Sequence, residues 1–210
     1  MKTKREKLSK VLKDIPKSVE EIIIVDGHST DNTVKIAKKF GAKVIFDDVG
    51  KGSALRKGMK AAKGNIVITM DADYSHKSSE IGLLTEGIKA GFDICMGSRF
   101  IQGGGTEDMP WHRRFGNKVF VFLVNLLWNT SYSDLCYGYR SFRKNRIKKL
   151  KLKSDGFGIE AEIAIKAAKK KLKVLEVPSF EKARRDGEGK LRTFADGYSI
   201  LRTIFNELSD

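Results

Sequence analysis

The stretch GNIVITMDADYSH, residues 64–76, decides the reading. Asn65–Met70 is a short β-branched, apolar run, entered from a glycine and left through two carboxylates. A continuous run of this kind reads as a strand buried on both faces, as in a parallel sheet covered by helices. Working outward, Glu21–Val25, Lys43–Phe46, Asp93–Met96 and Lys173–Val177 are further candidate strands. Between them Asp31–Phe40, Ser53–Lys63 and Ser78–Ala90 carry apolar residues at helical spacing. Each is stopped by a glycine: Gly41, Gly64 or Gly91. The alternation predicts an α/β fold, a Rossmann-like, mostly parallel sheet flanked by helices. Beyond Gly97 the rhythm breaks. A Gly-rich loop (Gln102–Thr106), a long amphipathic helix (Phe115–Asn129), a basic stretch and a final helix (Thr193–Leu208) follow.

Lysine plus arginine number 41 and aspartate plus glutamate 26, so 41 − 26 leaves a formal +15. That charge suits nucleic acid, an anionic membrane surface or phosphorylated small molecules. Much of it sits on helical stretches, such as Lys4, Lys7, Lys10 and Lys13, where it is ordinarily a solvated face. A basic nucleic-acid surface gives no reason for paired carboxylates at a strand end, and no nucleic-acid partner is expected. Cys95 and Cys136 cannot make a disulfide framework and no CxxC pair suggests zinc. The start, MKTKREKLSK, has no apolar segment behind its charges, so no secretory leader is expected. The most apolar run, Val119–Trp128, is about half of what a membrane span needs.

Open α/β sheets bind ligands beyond the carboxyl ends of their strands. Asp71-Ala72-Asp73 occupies such a place. Two carboxylates one residue apart can share a hard divalent cation whose other positions go to phosphate oxygens and water. The competing reading is a helix cap, although Ser78 or Ser79 can serve there instead. Asp26-Gly27 ends another candidate strand, where a carboxylate suits a base or ribose and a glycine lets a ligand approach the backbone. Ser29, Thr30 and Asp31 fit either a ligand or the cap of the next helix. Gly50-Lys51-Gly52 offers a cation beside a helix N-terminus, a candidate phosphate neighbour, though it is not a P-loop. His76 alone carries little.

These residues have companions. EIIIVDGHSTDNT (21–33), GKGSALRKGMKAAKGNIVITMDADYSH (50–76), GSRFIQGGG (97–105), Trp111–Asn117, DLCYGYRSFRK (134–144), GFGIEAEIAIKAAKKKLKVLEVPSF (156–180) and RRDGEGKLRTFADGYSILRTI (184–204) occur in order. With them the chain resembles a family 2 glycosyltransferase of the GT-A fold, near the polyprenyl-phosphate (dolichol-phosphate) mannose and glucose synthases. The resemblance implies one domain over 1–210. Its nucleotide-sugar half is 1–96 and its acceptor half, with the C-terminal helix, is 97–210. It implies Asp26, Gly27, Ser29 and Lys51 around the nucleotide. Asp71, Ala72 and Asp73 then hold the donor diphosphate, with Asp71 and Asp73 on Mg²⁺ or Mn²⁺. Arg99 and Arg113 face the acceptor phosphate, and Arg184 and Lys190 belong to a basic loop over the donor. An ionised phosphate acceptor needs no general base; for a hydroxyl acceptor Asp134, Glu160 and Glu162 are the candidates.

The implied activity is an inverting, metal-dependent hexosyl transfer from a GDP-mannose or UDP-glucose type donor to a polyprenyl phosphate. The implied place is the cytoplasm, peripheral on the cytosolic membrane face. Phe115, Val119, Phe122, Leu123, Leu126 and Leu127 make either a lipid-facing stripe or, slightly preferred, a core-packing one. Asn117 and Gly189 stand where this family usually has serine. The family's sheet also opens with a strand lying between those resembling Glu21–Val25 and Asn65–Met70, and nothing in residues 1–20 replaces it. The two strands would then close up and pair, or receive a strand from another chain or from residues before Met1. A truncated start is the expectation, with poor stability and weak activity for the 210 residues alone. The competing functional reading is a catalytically idle nucleotide-sugar-binding remnant.

Overall fold

The computed structural model describes residues 4–107, 109–183 and 193–209. Helix α1 (Lys4–Asp14) leads into β1 (Ile23–Asp26), α2 (Thr33–Lys39), β2 (Lys43–Phe46), α3 (Lys51–Ala61) and β3 (Ile66–Thr69). A 3-10 turn, Ser78–Glu80, precedes α4 (Ile81–Lys89), β4 (Ile94–Ser98), β5 (Gly105–Thr106) and α5 (Trp111–Trp128). Then come β6 (Arg140–Arg143), α6 (Lys144–Leu150), α7 (Ile159–Lys169), β7 (Val174–Pro178), β8 (Phe180–Glu181) and α8 (Thr193–Ser209). Glycines end helices where the sequence placed them: Gly41 and Gly91 adopt φ of 73° and 101° just past α2 and α4.

The α/β class stands, but the sheets are mixed. A four-stranded sheet runs β3-β6-β4-β7; β4 and β7 are parallel, while β6 lies antiparallel between β3 and β4. The sequence reading assigned no strand to Arg140–Arg143, because RSFR puts two arginines where a central strand normally shows apolar residues. Arg140 is nonetheless fully buried, with Nε, Nη1 and Nη2 donating to the carbonyls of Tyr137, Glu160 and Leu135 at 2.9, 2.8 and 2.8 Å. Strand β1 pairs in parallel with β2 in a separate two-stranded sheet, and β5 pairs with β8. Among the described residues β1 and β3 do not pair with each other.

Alternation along β4 assigns its faces. Ile94 and Met96 join Phe142 and the apolar residues of α7, including Ile163 and Ile165, in the main core. Cys95 turns the other way, to Leu84 and Ile88 of α4. That contact is close: a Cβ on Gly87 would lie 2.6 Å from Cys95 Sγ. A third, smaller cluster of Leu8, Leu12, Ala37 and Ala42 seats α1 and α2 on the β1–β2 pair. Helix α3 links the two parts. Its Met59 is in the main core, and its Gly58 backs onto Val25 of β1.

Candidate active site

Strand β3 delivers Asp71-Ala72-Asp73 just past its carboxyl end. The loop is held from within. The Asp71 N–H donates to His76 Nδ1 at 3.1 Å, and Asp73 Oδ1 accepts from the Ser75 N–H and hydroxyl at 3.0 and 2.6 Å. Because Nδ1 accepts, the neutral imidazole carries its proton on Nε2. His76 is buried, stacked on Tyr139 at 4.7 Å and edge-on to Tyr137 at 4.8 Å. Burial holds it below the usual imidazole range, against the pull of Asp71 and Asp73. Tyr74 sits in the left-handed region at φ 71°, a conformation that costs a bulky residue about 1–3 kcal/mol, with its hydroxyl donating to Asp14 at 2.9 Å. The carboxylate pair thus stands on a rigid, locally strained loop. His76 carries more of the site than a lone histidine signals in a sequence.

Lys51, the first residue of α3, sends its ammonium into this site, 2.7 Å from Glu160 Oε1 and 3.6 Å from Asp71 Oδ1. Burial alone would depress its pKa; Asp71 and Glu160 outweigh that and hold it above the ordinary lysine range. Gly138 forms the floor, since a Cβ there would come within 3.2 Å of Glu160 Oε1 and 3.4 Å of Lys51 Nζ. The glycines beside Lys51 have a different reason from a phosphate cradle. A Cβ at Gly50 or Gly52 would lie 2.4 or 2.3 Å from the carbonyls of Asp155 or Ser154. The N–H groups of Gly52 and Ser53 already donate to Asp155 O at 2.7 and 3.2 Å. The start of α3 is therefore capped by protein, and what it offers a ligand is the lysine side chain.

The other expected residues are placed as follows. Asp26 is buried at the end of β1, where its Oδ2 accepts from the Ser29 N–H at 2.7 Å and fixes the turn. A Cβ at Gly27 would meet only an ordinary contact, so packing does not demand that glycine. The Arg99 guanidinium is buried and engaged: Nε and Nη2 with Asp134 at 2.7 and 3.0 Å, Nη1 with Glu181 at 2.9 Å. Burial would lower its pKa, but the two carboxylates keep it raised. Arg113 lies in the first turn of α5. Asn117 is buried and accepts from the Leu135 and Cys136 N–H groups at 3.2 and 3.1 Å. Arg184, Gly189 and Lys190 lie outside the described residues. Of the three candidate bases, Asp134 is tied to Arg99, and Glu162 holds Lys166 and the N–H groups of Lys153 and Ser154. Glu160 alone of the three stands beside Lys51 and Asp71.

The donor set at Asp71 and Asp73 is made of hard carboxylate oxygens, which suits Mg²⁺ or Mn²⁺. No cluster of three or more His, Cys, Asp or Glu that could hold a metal ion occurs among the described residues. A cation at this pair would therefore fill its remaining positions from phosphate and water, as Mg²⁺ characteristically does.

Comparison with known proteins assigns the chain to a family. The family model described as glycosyl transferase family 2 matches residues 5–151. The chain is 35% identical over 200 residues to a dolichol-phosphate mannosyltransferase of Pyrococcus furiosus, covering 90% of this chain and 56% of that protein. It is 29% identical over 189 residues to the glycosyltransferase AglJ of Haloferax volcanii, covering 88% of this chain and 61% of that one. The chain therefore spans a little over half the length of these curated relatives. Its fold superposes with a TM-score of 0.77 on a glucosyl-3-phosphoglycerate synthase from Mycobacterium tuberculosis crystallised with Mn²⁺, UDP-glucose and phosphoglyceric acid. That match has 17% identity and covers 100% of this chain and 77% of the other.

Proposed function

The chain belongs to glycosyl transferase family 2, and from that membership we propose that it moves a hexose from a GDP-mannose or UDP-glucose type donor to an anionic acceptor, a polyprenyl phosphate at a membrane surface. The observation that carries this reading is the carboxylate pair after β3, pinned by His76 and Ser75 and flanked by the Lys51 ammonium. In this reading residues 1–96 take the nucleotide sugar and 97–210 face the acceptor. Asp71 and Asp73 hold Mg²⁺ or Mn²⁺, which when bound supplies positive charge to the departing diphosphate. Lys51 adds a fixed cation beside Asp71, and Glu160 keeps it charged and in place. Asp26 shapes the turn assigned to base and ribose. Arg99, locked to Asp134 and Glu181, organises the floor by joining β4 to β8, and Arg113 in α5 is the arginine assigned to the acceptor phosphate. An acceptor phosphate oxygen attacks the anomeric carbon as the bond to the diphosphate breaks, with inversion. The nucleophile arrives ionised, so no side chain has to take a proton.

The membrane part of the proposal is supported by α5. Core packing was the slightly preferred reading of its apolar stripe, yet Trp111, Phe115, Phe122 and Leu126 are 80, 64, 64 and 67% exposed. Their spacing puts them on one helical face. No helix among the described residues is long and apolar enough to cross a membrane, so contact through this face would be interfacial.

Calorimetry with GDP-mannose and with UDP-glucose, each with and without Mn²⁺, tests the donor half directly. Asp73→Ala should abolish metal-dependent binding and leave the fold intact, and equal binding by wild type and variant would remove Asp73 from the site. Donor binding with no transfer to a polyprenyl phosphate would favour the idle remnant.

A further inference from the structure

Helix α7 carries two buried carboxylates two residues apart, Glu160 and Glu162. Two positions along a helix turn a side chain through about 200°, so the pair points in nearly opposite directions. Glu160 reaches the Lys51 ammonium at 2.7 Å. Glu162 faces the loop that leads into α7, where its Oε1 and Oε2 accept from the N–H groups of Lys153 and Ser154 at 2.6 and 2.8 Å. Lys166, one turn on, donates to Glu162 Oε1 at 2.5 Å and to Lys151 O at 2.8 Å. Glu207 of α8 lies 3.3 Å from the same ammonium and 3.1 Å from that of Lys169. Burial would raise the Glu162 pKa, but Lys166 and the two N–H groups outweigh that and hold it below the usual carboxylate range. Glu162 is thus kept as an ionised acceptor.

The loop that Glu162 holds is pressed against the start of α3. Asp155 O accepts from the N–H groups of Gly52 and Ser53, the Arg56 guanidinium pairs with the Asp155 carboxylate, and Arg56 Nη1 donates to Leu152 O at 3.4 Å. There is no spare room, because a Cβ at Gly52 would collide with Ser154 O. Lys51 stands between Gly50 and Gly52, and its ammonium lies 3.6 Å from Asp71 Oδ1. One helix therefore grips Lys51 twice. Glu160 holds its ammonium directly, and Glu162 holds its backbone through Ser154 and Asp155. In so close-packed a contact a shift of the loop moves the first turn of α3, and with it the ammonium beside Asp71.

We propose that Glu162 is a positioning residue of the transferase site, acting through the 153–155 loop to hold the Lys51 ammonium beside Asp71. The proposal rests on the transferase reading above and adds to it a residue that touches neither donor nor metal. It also gives α8 a part in the site. Lys166 joins Glu207, in the last turn of α8, to the carboxylate that sets Lys51.

A double-mutant cycle of Glu162→Ala with Lys51→Met tests this on the full chain. Calorimetry of UDP-glucose and GDP-mannose with Mn²⁺ gives donor affinity. Trace labelling with acetic anhydride, read by mass spectrometry, gives the reactivity of Lys51 relative to the exposed Lys39. Glu162→Ala should weaken donor binding about tenfold in the wild-type background and less than about twofold in Lys51→Met, where the loop has no ammonium left to position. Lys51 labelling should rise at least about fivefold in Glu162→Ala, since an ammonium drawn away from Asp71 and Glu160 loses the ion pairs that keep it protonated. Glu162→Gln keeps one acceptor oxygen for the loop and should lose roughly threefold in affinity; it carries the same cycle if the alanine variant does not fold. An equal loss in both backgrounds makes Glu162 a general support of the fold and overturns the proposal. A folded variant with unchanged donor affinity, or with unchanged Lys51 labelling, overturns it too. A wild type that binds neither donor, with labelling raised in the variant, leaves the positioning of Lys51 standing and sinks the transferase reading instead.

Discussion

Strands β1 and β4 are both short, apolar and parallel to a neighbour, yet they live in different environments. All five residues of β4 are buried, between β6 and β7 in the sheet and between α4 and α7 above and below. In β1 only Asp26 is buried, and the strand pairs with β2 alone among the described residues. A two-stranded pair is marginal by itself. What holds this one is the small cluster under α1 and α2 and the tether through α3. The difference teaches where stability and function are stored. The large sheet carries the loop of Asp71 and Asp73, assigned to the metal, on a rigid base, while the turn assigned to the nucleotide base rides on the weaker pair.

The largest effect should come from the centre of the large sheet. Arg140→Ala strips donors from three buried carbonyls and empties a large buried volume, so it should cost about 3–5 kcal/mol in denaturant unfolding. A cost below about 1 kcal/mol would show that β6 is not the keystone described here. In the smaller part, Leu12→Ala removes a buried side chain from a cluster that can relax around it. The low end of the usual range, roughly 2 kcal/mol, is expected. Should Leu12→Ala prove the more damaging of the two, the comparison is inverted.

His76→Ala sharpens the same contrast at the site. It frees the Asp71 N–H and should weaken Mn²⁺-dependent donor binding about tenfold, near 1.4 kcal/mol. His76→Asn, whose amide oxygen can accept the same N–H, should recover part of that loss. Recovery by neither route, with normal folding, would mean that His76 acts otherwise than through Asp71. The smallest effect is a null one. Burial pushes the Cys95 thiol up to about 12, and the residue is 0% exposed, so iodoacetamide at pH 8 should leave it unmodified in the folded protein. Rapid alkylation seen by mass spectrometry would show that α4 opens away from β4.

Much of the site was legible because its residues are neighbours in the chain. The pair Asp71 and Asp73 sits at the end of an apolar run, which any reading of strand ends finds. His76 was present in the same thirteen residues, yet its meaning depends on Tyr137 and Tyr139, some sixty positions later. Glu160 appeared only as one of three candidate bases, and the position of Lys51 singled it out. Lys7 and Lys10 read as a solvated face, since nothing local connects α1 with Asp73 or with the end of β8, beside which they lie.

By itself the sequence determined the alternation of strands and helices, the glycine stops, the carboxylate pair at a strand end and the one-sided apolar face of α5. All of these are set within a few residues, by side-chain period, backbone freedom and charge. Only the tertiary structure decided that an arginine-bearing segment becomes the antiparallel strand between β3 and β4, and that Arg99 is spent on Asp134 and Glu181. It alone decided that the glycines beside Lys51 make room for Ser154 and Asp155. The reason is physical. Arg99 meets partners 35 and 82 residues away, and a charge buried at such separation is stabilised by contacts that no local pattern encodes.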